Sequence, residues 1–114
     1  MKKIILPLLV IAAFMCMGLR PRYNPVKALA YYAVDTASSD TYLAQINGIA
    51  SYDTGLFVLL NPVTNNTDGA SLNINGLGAK SIVGEDGNAL TTNDILSTGI
   101  SHIVYDGTNF LLQE

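Results

Sequence analysis

The chain has 114 residues, 49% of them hydrophobic, with a net charge of −3. That length supports one small domain. One cysteine, Cys16, and one histidine, His102, leave no internal disulfide and no Cys/His zinc cluster to staple it. The charge is unevenly divided. Residues 1–27 carry Lys2, Lys3, Arg20, Arg22 and Lys27 without an acid, and residues 28–114 carry all nine acids with Lys80 as the one base, a balance of −8. Such an acidic body argues against a nucleic-acid partner, since binding a polyanion needs cations to replace its counterions.

Residues 4–19 (IILPLLVIAAFMCMGL) contain no charged side chain and lie between Lys2-Lys3 and Arg20-Pro21-Arg22. A basic start followed by an apolar run is the pattern of a secretory signal peptide. The residues that follow the run lack a small-residue cleavage site, however. The A-x-A match at Ala28-Leu29-Ala30 lies beyond three positive charges and two prolines. Phe14 and Met15 are too large for the residues expected before a lipidated cysteine at position 16. A membrane span is short as well: sixteen helical residues reach about 24 Å against a hydrocarbon core of about 30 Å. The reading favoured here is a retained apolar anchor, residues 1–19, that docks into a partner protein or packs with its own copies. Its contacts would be Ile4, Ile5, Leu6, Leu8, Leu9, Val10, Ile11, Phe14, Met15, Met17 and Leu19. A signal peptide or membrane segment is the alternative. Residues 20–29 hold Pro21 and Pro25, which exclude a helix interior and favour an extended, semi-rigid linker.

From residue 30 to 114 the texture is that of an all-β module. Tyr42, Ala44 and Ile46 alternate with Leu43 and Gln45, the period of a half-buried strand. Leu56, Phe57, Val58, Leu59 and Leu60 form a continuous apolar run between Gly55 and Asn61-Pro62, as expected of a strand covered on both sides. Leu72 and Ile74 alternate with Ser71, Asn73 and Asn75. Asn75-Gly76 and Asp86-Gly87 predict turns, because glycine takes the positive φ that tight turns need. Gly78 predicts a bulge. Thr91–Thr98 fits one helical turn or an ordered loop. Asp106-Gly107 predicts a hairpin with a two-residue type I′ turn. That register sets Tyr105 against Thr108, Ile103 against Phe110 and Ser101 against Leu112 on a core face. Ile100, His102, Val104 and Leu111 fall on the other face. No long amphipathic helix and no internal repeat follows residue 30.

Candidate chemistry reads blandly. His102 stands mid-strand with no serine–histidine–carboxylate pattern around it. Cys16 sits in an apolar run and behaves as a small hydrophobe. Asn75-Gly76-Leu77-Gly78 lacks the lysine and following helix of a phosphate loop. Asn65-Asn66-Thr67 matches a glycosylation acceptor. Six tyrosines, spread over different segments, suit core and interface positions better than a sugar-stacking platform. Asp53, Asp68, Glu85, Asp86, Asp94 and Asp106 each stand beside Gly, Asn or Thr, as turn acids do. No catalytic, cofactor or metal-binding set is expected.

Three segments occur together in order: Ser71–Lys80 (SLNINGLGAK), Asp86-Gly87-Asn88-Ala89-Leu90, and Val104–Phe110 (VYDGTNF). The combination resembles a small β module of tailed-bacteriophage fibres and virion appendages. The resemblance implies a small antiparallel β-sandwich or barrel-like domain and a non-enzymatic, structural role as a head-fibre or tail-fibre component. It implies a homotrimer in the virion, held to capsid, portal or tail proteins by the N-terminus, with a host-surface glycan or protein as a further partner. A small core without staples also points to oligomerisation, and Leu56–Leu60 with Ile100, His102, Val104 and Leu111 is where the contact is expected. A secreted or membrane-tethered bacterial β domain is the alternative.

Overall fold

Turn residues interrupt the alternation of apolar and polar side chains, and the chain divides there into seven short strands. In the computed structural model, which describes residues 30–114, these are β1 Tyr31–Val34, β2 Thr41–Ala44, β3 Phe57–Asn61, β4 Ala70–Ile74, β5 Lys80–Val83, β6 Ser101–Tyr105 and β7 Phe110–Leu112. They form one sheet in the order β1-β3-β6-β7-β5-β4-β2. Its two ends, β1 and β2, are drawn together beyond β1: Thr36 N donates to Leu43 O at 3.0 Å, and Leu43 N to Asp35 Oδ1 at 3.0 Å. The sheet is thereby nearly closed into a barrel. The expected all-β, barrel-like module is what residues 30–114 build. The anchor expected at residues 1–19 and the linker at 20–29 lie outside the described residues.

The resemblance implied an antiparallel sheet, and the sheet is instead mixed. β3/β6, β4/β5 and β6/β7 are antiparallel, while β1/β3, β2/β4 and β5/β7 are parallel. A parallel pair needs a crossover of a dozen or more residues. Each of these pairs is joined by one: residues 35–56, 45–69 and 84–109. Turn dipeptides report only local hairpins, so these long connections leave no short-range mark.

The barrel interior is apolar. Tyr42, Val58, Leu60, Leu72, Ile74, Ile82, Ile103 and Phe110 are buried, and Ile95 enters from the long loop between β5 and β6. Each such side chain stabilises by about 1.5–3 kcal/mol relative to leaving it in water. The run Leu56–Leu60 is not covered on both sides. Leu56, Val58 and Leu60 point inward, and Phe57 and Leu59 stand half-buried on the outer surface.

The closing hairpin has the predicted faces and a different register. Tyr105 pairs with Phe110, Val104 with Leu111 and Ile103 with Leu112, so the loop is four residues and not two. Asp106 N donates to Asn109 O at 2.9 Å, and Asp106 Oδ1 accepts from Asn109 N at 2.7 Å and Thr108 N at 2.8 Å. These bonds, Asn109's first, hold the Asp106 carboxyl below its ordinary value. A carboxylate that closes its own turn replaces the type I′ geometry expected of Asp-Gly. At Asn75-Gly76 the type I′ signature is present: φ is 56° and 74°, and Leu77 N donates to Ile74 O at 2.9 Å.

Two buried polar side chains tie loops to the barrel. Asp35, 2% exposed, accepts from Ala37 N and Leu43 N on Oδ1 and from Val63 N on Oδ2, at 2.9–3.1 Å. Asn66, fully buried, donates to Asp68 O and Thr91 O and accepts from Ile95 N at 2.7 Å. Asn66 thereby fixes residues 91–95 as an ordered loop without a helical turn.

Candidate interaction surface

Successive side chains of a strand point to opposite faces, so the inward set of each strand dictates an outward one. On β1 the outward residues are Tyr32 and Val34. On β3 they are Phe57, Leu59 and Asn61, on β6 His102 and Val104, and on β7 Leu111. The registers align them: Tyr32 lies beside Leu59, Leu59 beside His102, Phe57 beside Val104, and Val104 beside Leu111. Tyr32 is 57% exposed, Val34 49% and, just before β6, Ile100 44%. The Phe57 and His102 rings stand edge to face with centroids 6.2 Å apart. Asn61 Nδ2 donates to the Tyr32 hydroxyl at 2.9 Å. No Asp, Glu, Lys or Arg belongs to these outward positions.

The other half of the barrel differs. Across β2, β4 and β5 the outward row is Thr41, Ser71 and Ser81, with Leu43 beside Asn73. Ser71 Oγ lies 3.2 Å from Thr41 Oγ1. One side of the barrel is thus apolar and uncharged, and the other carries hydroxyls, an amide, the exposed Leu43 and the exposed Lys80. The carboxylates sit mainly on the loops. Glu85, Asp86, Asp94 and Glu114 line an open cleft of about 500 Å³. Among the described residues no group of His, Cys, Asp and Glu is arranged to hold a metal ion.

Six of the nine residues expected at a contact come together on the apolar face: Phe57, Leu59, Ile100, His102, Val104 and Leu111. The other three, Leu56, Val58 and Leu60, belong to the core, because the alternation within a continuous apolar run is invisible until the strand's neighbours are known. Tyr32 and Val34 are additions that sequence reasoning missed; their one signal was the alternation within Tyr31–Val34. The expected turn residues Asn75, Gly76, Asp86, Gly87, Asp106 and Gly107 all lie in turns. Backbone and side-chain bonds from Asn88 hold the Asp86 carboxyl below its ordinary value. His102 points outward while its neighbour Ser101 faces the core. Asn65, in the glycosylation pattern, has its side chain engaged: Oδ1 accepts from Ser97 N at 2.8 Å, and Nδ2 donates to Asn93 Oδ1 at 3.1 Å.

Compared with known proteins, the chain matches no protein-family model and no curated protein sequence.

Proposed function

We propose that this chain is a non-enzymatic structural component of a tailed-bacteriophage virion, a head-fibre or tail-fibre type of appendage. Its body associates as a homotrimer, and residues 1–19 join it to capsid, portal or tail proteins. The observation that carries this reading is the uncharged apolar face of β1, β3, β6 and β7 on a body with a balance of −8. Contiguous exposed apolar surface on a soluble domain marks a site of protein contact. Copies of an acidic domain can meet there without opposing their carboxylates. The resemblance of the Ser71–Lys80 and Val104–Phe110 segments to phage appendage modules supplies the virion context. The hydroxyl-bearing face of β2, β4 and β5 is then free to contribute to contact with a host-surface glycan or protein.

The test is incorporation. In phage particles assembled with a chain lacking residues 1–19, the β body should be absent from purified virions while the full chain is present. Normal incorporation of the shortened chain would refute the anchor. The basic Lys2-Lys3 start before an apolar run favours a second reading, a secreted or membrane-tethered bacterial β domain. Intact mass separates the virion reading from secretion: retention of Met1 or Lys2 in assembled particles supports the first, and loss of residues 1–30 supports the second.

A further inference from the structure

The chain contains the tripeptide Ile-Asn-Gly twice, at Ile46-Asn47-Gly48 and Ile74-Asn75-Gly76. Local sequence therefore treats Asn47 and Asn75 alike, and only the fold distinguishes them. Asn47 is exposed, in a turn closed by a long 3.4 Å bond from Ile49 N to Ile46 O. Gly48 has φ +91°, and nothing lies within 4 Å of where its Cβ would be. Asn75 is held on every side-chain atom that can bond. Its Oδ1 accepts from Ile46 N at 2.8 Å, and its Nδ2 donates to Ile46 O at 2.7 Å and Ile49 O at 2.9 Å. Asn75 therefore grips the ends of the very turn that presents Asn47.

We propose that Asn47 is a site of spontaneous deamidation, and that its conversion unlocks Asn75 as a second one. The Gly48 amide nitrogen attacks Asn47 Cγ and loses its proton. The Cγ–Nδ2 bond breaks and ammonia leaves, forming a five-membered cyclic imide. Water then opens the imide at either carbonyl, giving aspartate or the β-linked isoaspartate, with no change of oxidation state. Glycine at the second position leaves the attacking nitrogen unhindered, since it has no side chain. At Asn75 the same attack requires Cγ to turn away from three hydrogen bonds, and the leaving nitrogen makes two of them. The isoaspartate product adds one methylene to the backbone of the Ile46–Ile49 turn. The spacing of the Ile46 and Ile49 carbonyls then no longer fits the Asn75 amide, and the grip is lost.

The experiment is a time course on the full folded chain in mildly alkaline buffer, read by digestion and mass spectrometry with separation of isoaspartyl peptides. Asn47 is expected to convert at least about tenfold faster than Asn75, a barrier difference of about 1.4 kcal/mol. In denaturant the two should react at comparable rates. Conversion of Asn75 should show a lag, and should stay slow throughout in an Asn47→Gln chain. An Asn47→Asp chain, which has the charge without the methylene, should also keep Asn75 slow. Equal rates at the two sites in the folded chain would overturn the assignment of Asn47. Loss of Asn75 at the parental rate in Asn47→Gln, or its acceleration in Asn47→Asp, would overturn the coupling through backbone length.

Discussion

Tyr52 and Gly78 are joined by a 2.6 Å hydrogen bond in which the phenol donates to the glycine carbonyl. The same oxygen accepts from Ile74 N at 2.9 Å. One side chain thus serves two backbone groups around the β4–β5 turn, where Gly78 adopts φ +120°. Its ring packs against Tyr105 and Phe110 at 5.5 and 5.3 Å. Tyr52→Phe keeps the packing and strands both groups, so it should cost about 1–3 kcal/mol. Chemical denaturation of the two proteins measures the difference. A variant within about 0.5 kcal/mol of the parent, the range of ordinary surface substitutions, would show that water replaces the phenol at no cost.

Tyr42 should make the fold sensitive to strong alkali. Its ring is fully buried and its hydroxyl donates to Thr64 O at 2.9 Å. Burial, and next the charge of Asp40, push its ionisation from 10.0 up to about 12. A group whose value is raised by folding contributes stability that is fully present below its unfolded value. That contribution is lost as pH rises from 10 through about 12. Denaturation midpoints should fall across that window in the parent and fall less steeply in Tyr42→Phe.

Removing the Asn66 amide should loosen the loop that carries Ile95. Asn66→Ala leaves Ile95 N, Asp68 O and Thr91 O without their partner, at a cost of at least about 2 kcal/mol. Amide hydrogen exchange at Ile95 should speed up by more than exchange in β3 and β6. Uniform acceleration would mean that the loop has no independent opening.

Gly107 should tolerate no side chain. Its φ is +105°, and a Cβ there would stand 2.9 Å from Thr54 Oγ1. Gly107→Val should lower the melting midpoint through a penalty of at least about 1–2 kcal/mol for left-handed backbone alone. Adding Thr54→Ala removes the contact but not the backbone cost, so recovery should be partial. Complete recovery would assign the whole effect to the contact.

Leu111→Asp should separate copies of the body. On residues 28–114 at micromolar concentration, sedimentation should show association for the parent and a monomer for the variant. Leu43→Asp on the opposite side of the barrel should leave association unchanged. Stability of the parent should rise with concentration, because association favours the folded state by mass action. A monomeric parent would remove the apolar face as a self-contact.

The hairpin shows what was legible in the sequence. Placing Tyr105 against Thr108 misjudged the register by two residues and put Thr108 on the core face, where it is instead an exposed loop residue, yet every strand residue of β6 and β7 lies on its expected face. A strand repeats every two residues, so only an odd slip would have reversed them. Face assignment is therefore readable from alternation even where loop length is not. The inside and outside of Leu56–Leu60 could not be read because no polar residue marks the outer side. Asp35 and Asn66 were invisible for another reason. A buried polar residue is identified by the distant backbone groups it meets, and Val63 and Ile95 are 28 and 29 positions away.

The place of the β6–β7 hairpin has a consequence for synthesis. Although β6 and β7 follow the other five described strands in sequence, they lie between β3 and β5 in the sheet. Until they emerge from the ribosome, the β1/β3 pair and the β2/β4/β5 ribbon can meet only where Thr36 bonds Leu43, and the edges of β3 and β5 stay unpaired. The barrel cannot assemble progressively behind the growing chain; it closes only when Phe110–Leu112 arrive to join the halves. Such late, non-local closure makes folding slow. A nascent or prematurely terminated chain would expose edges that pair readily with other chains.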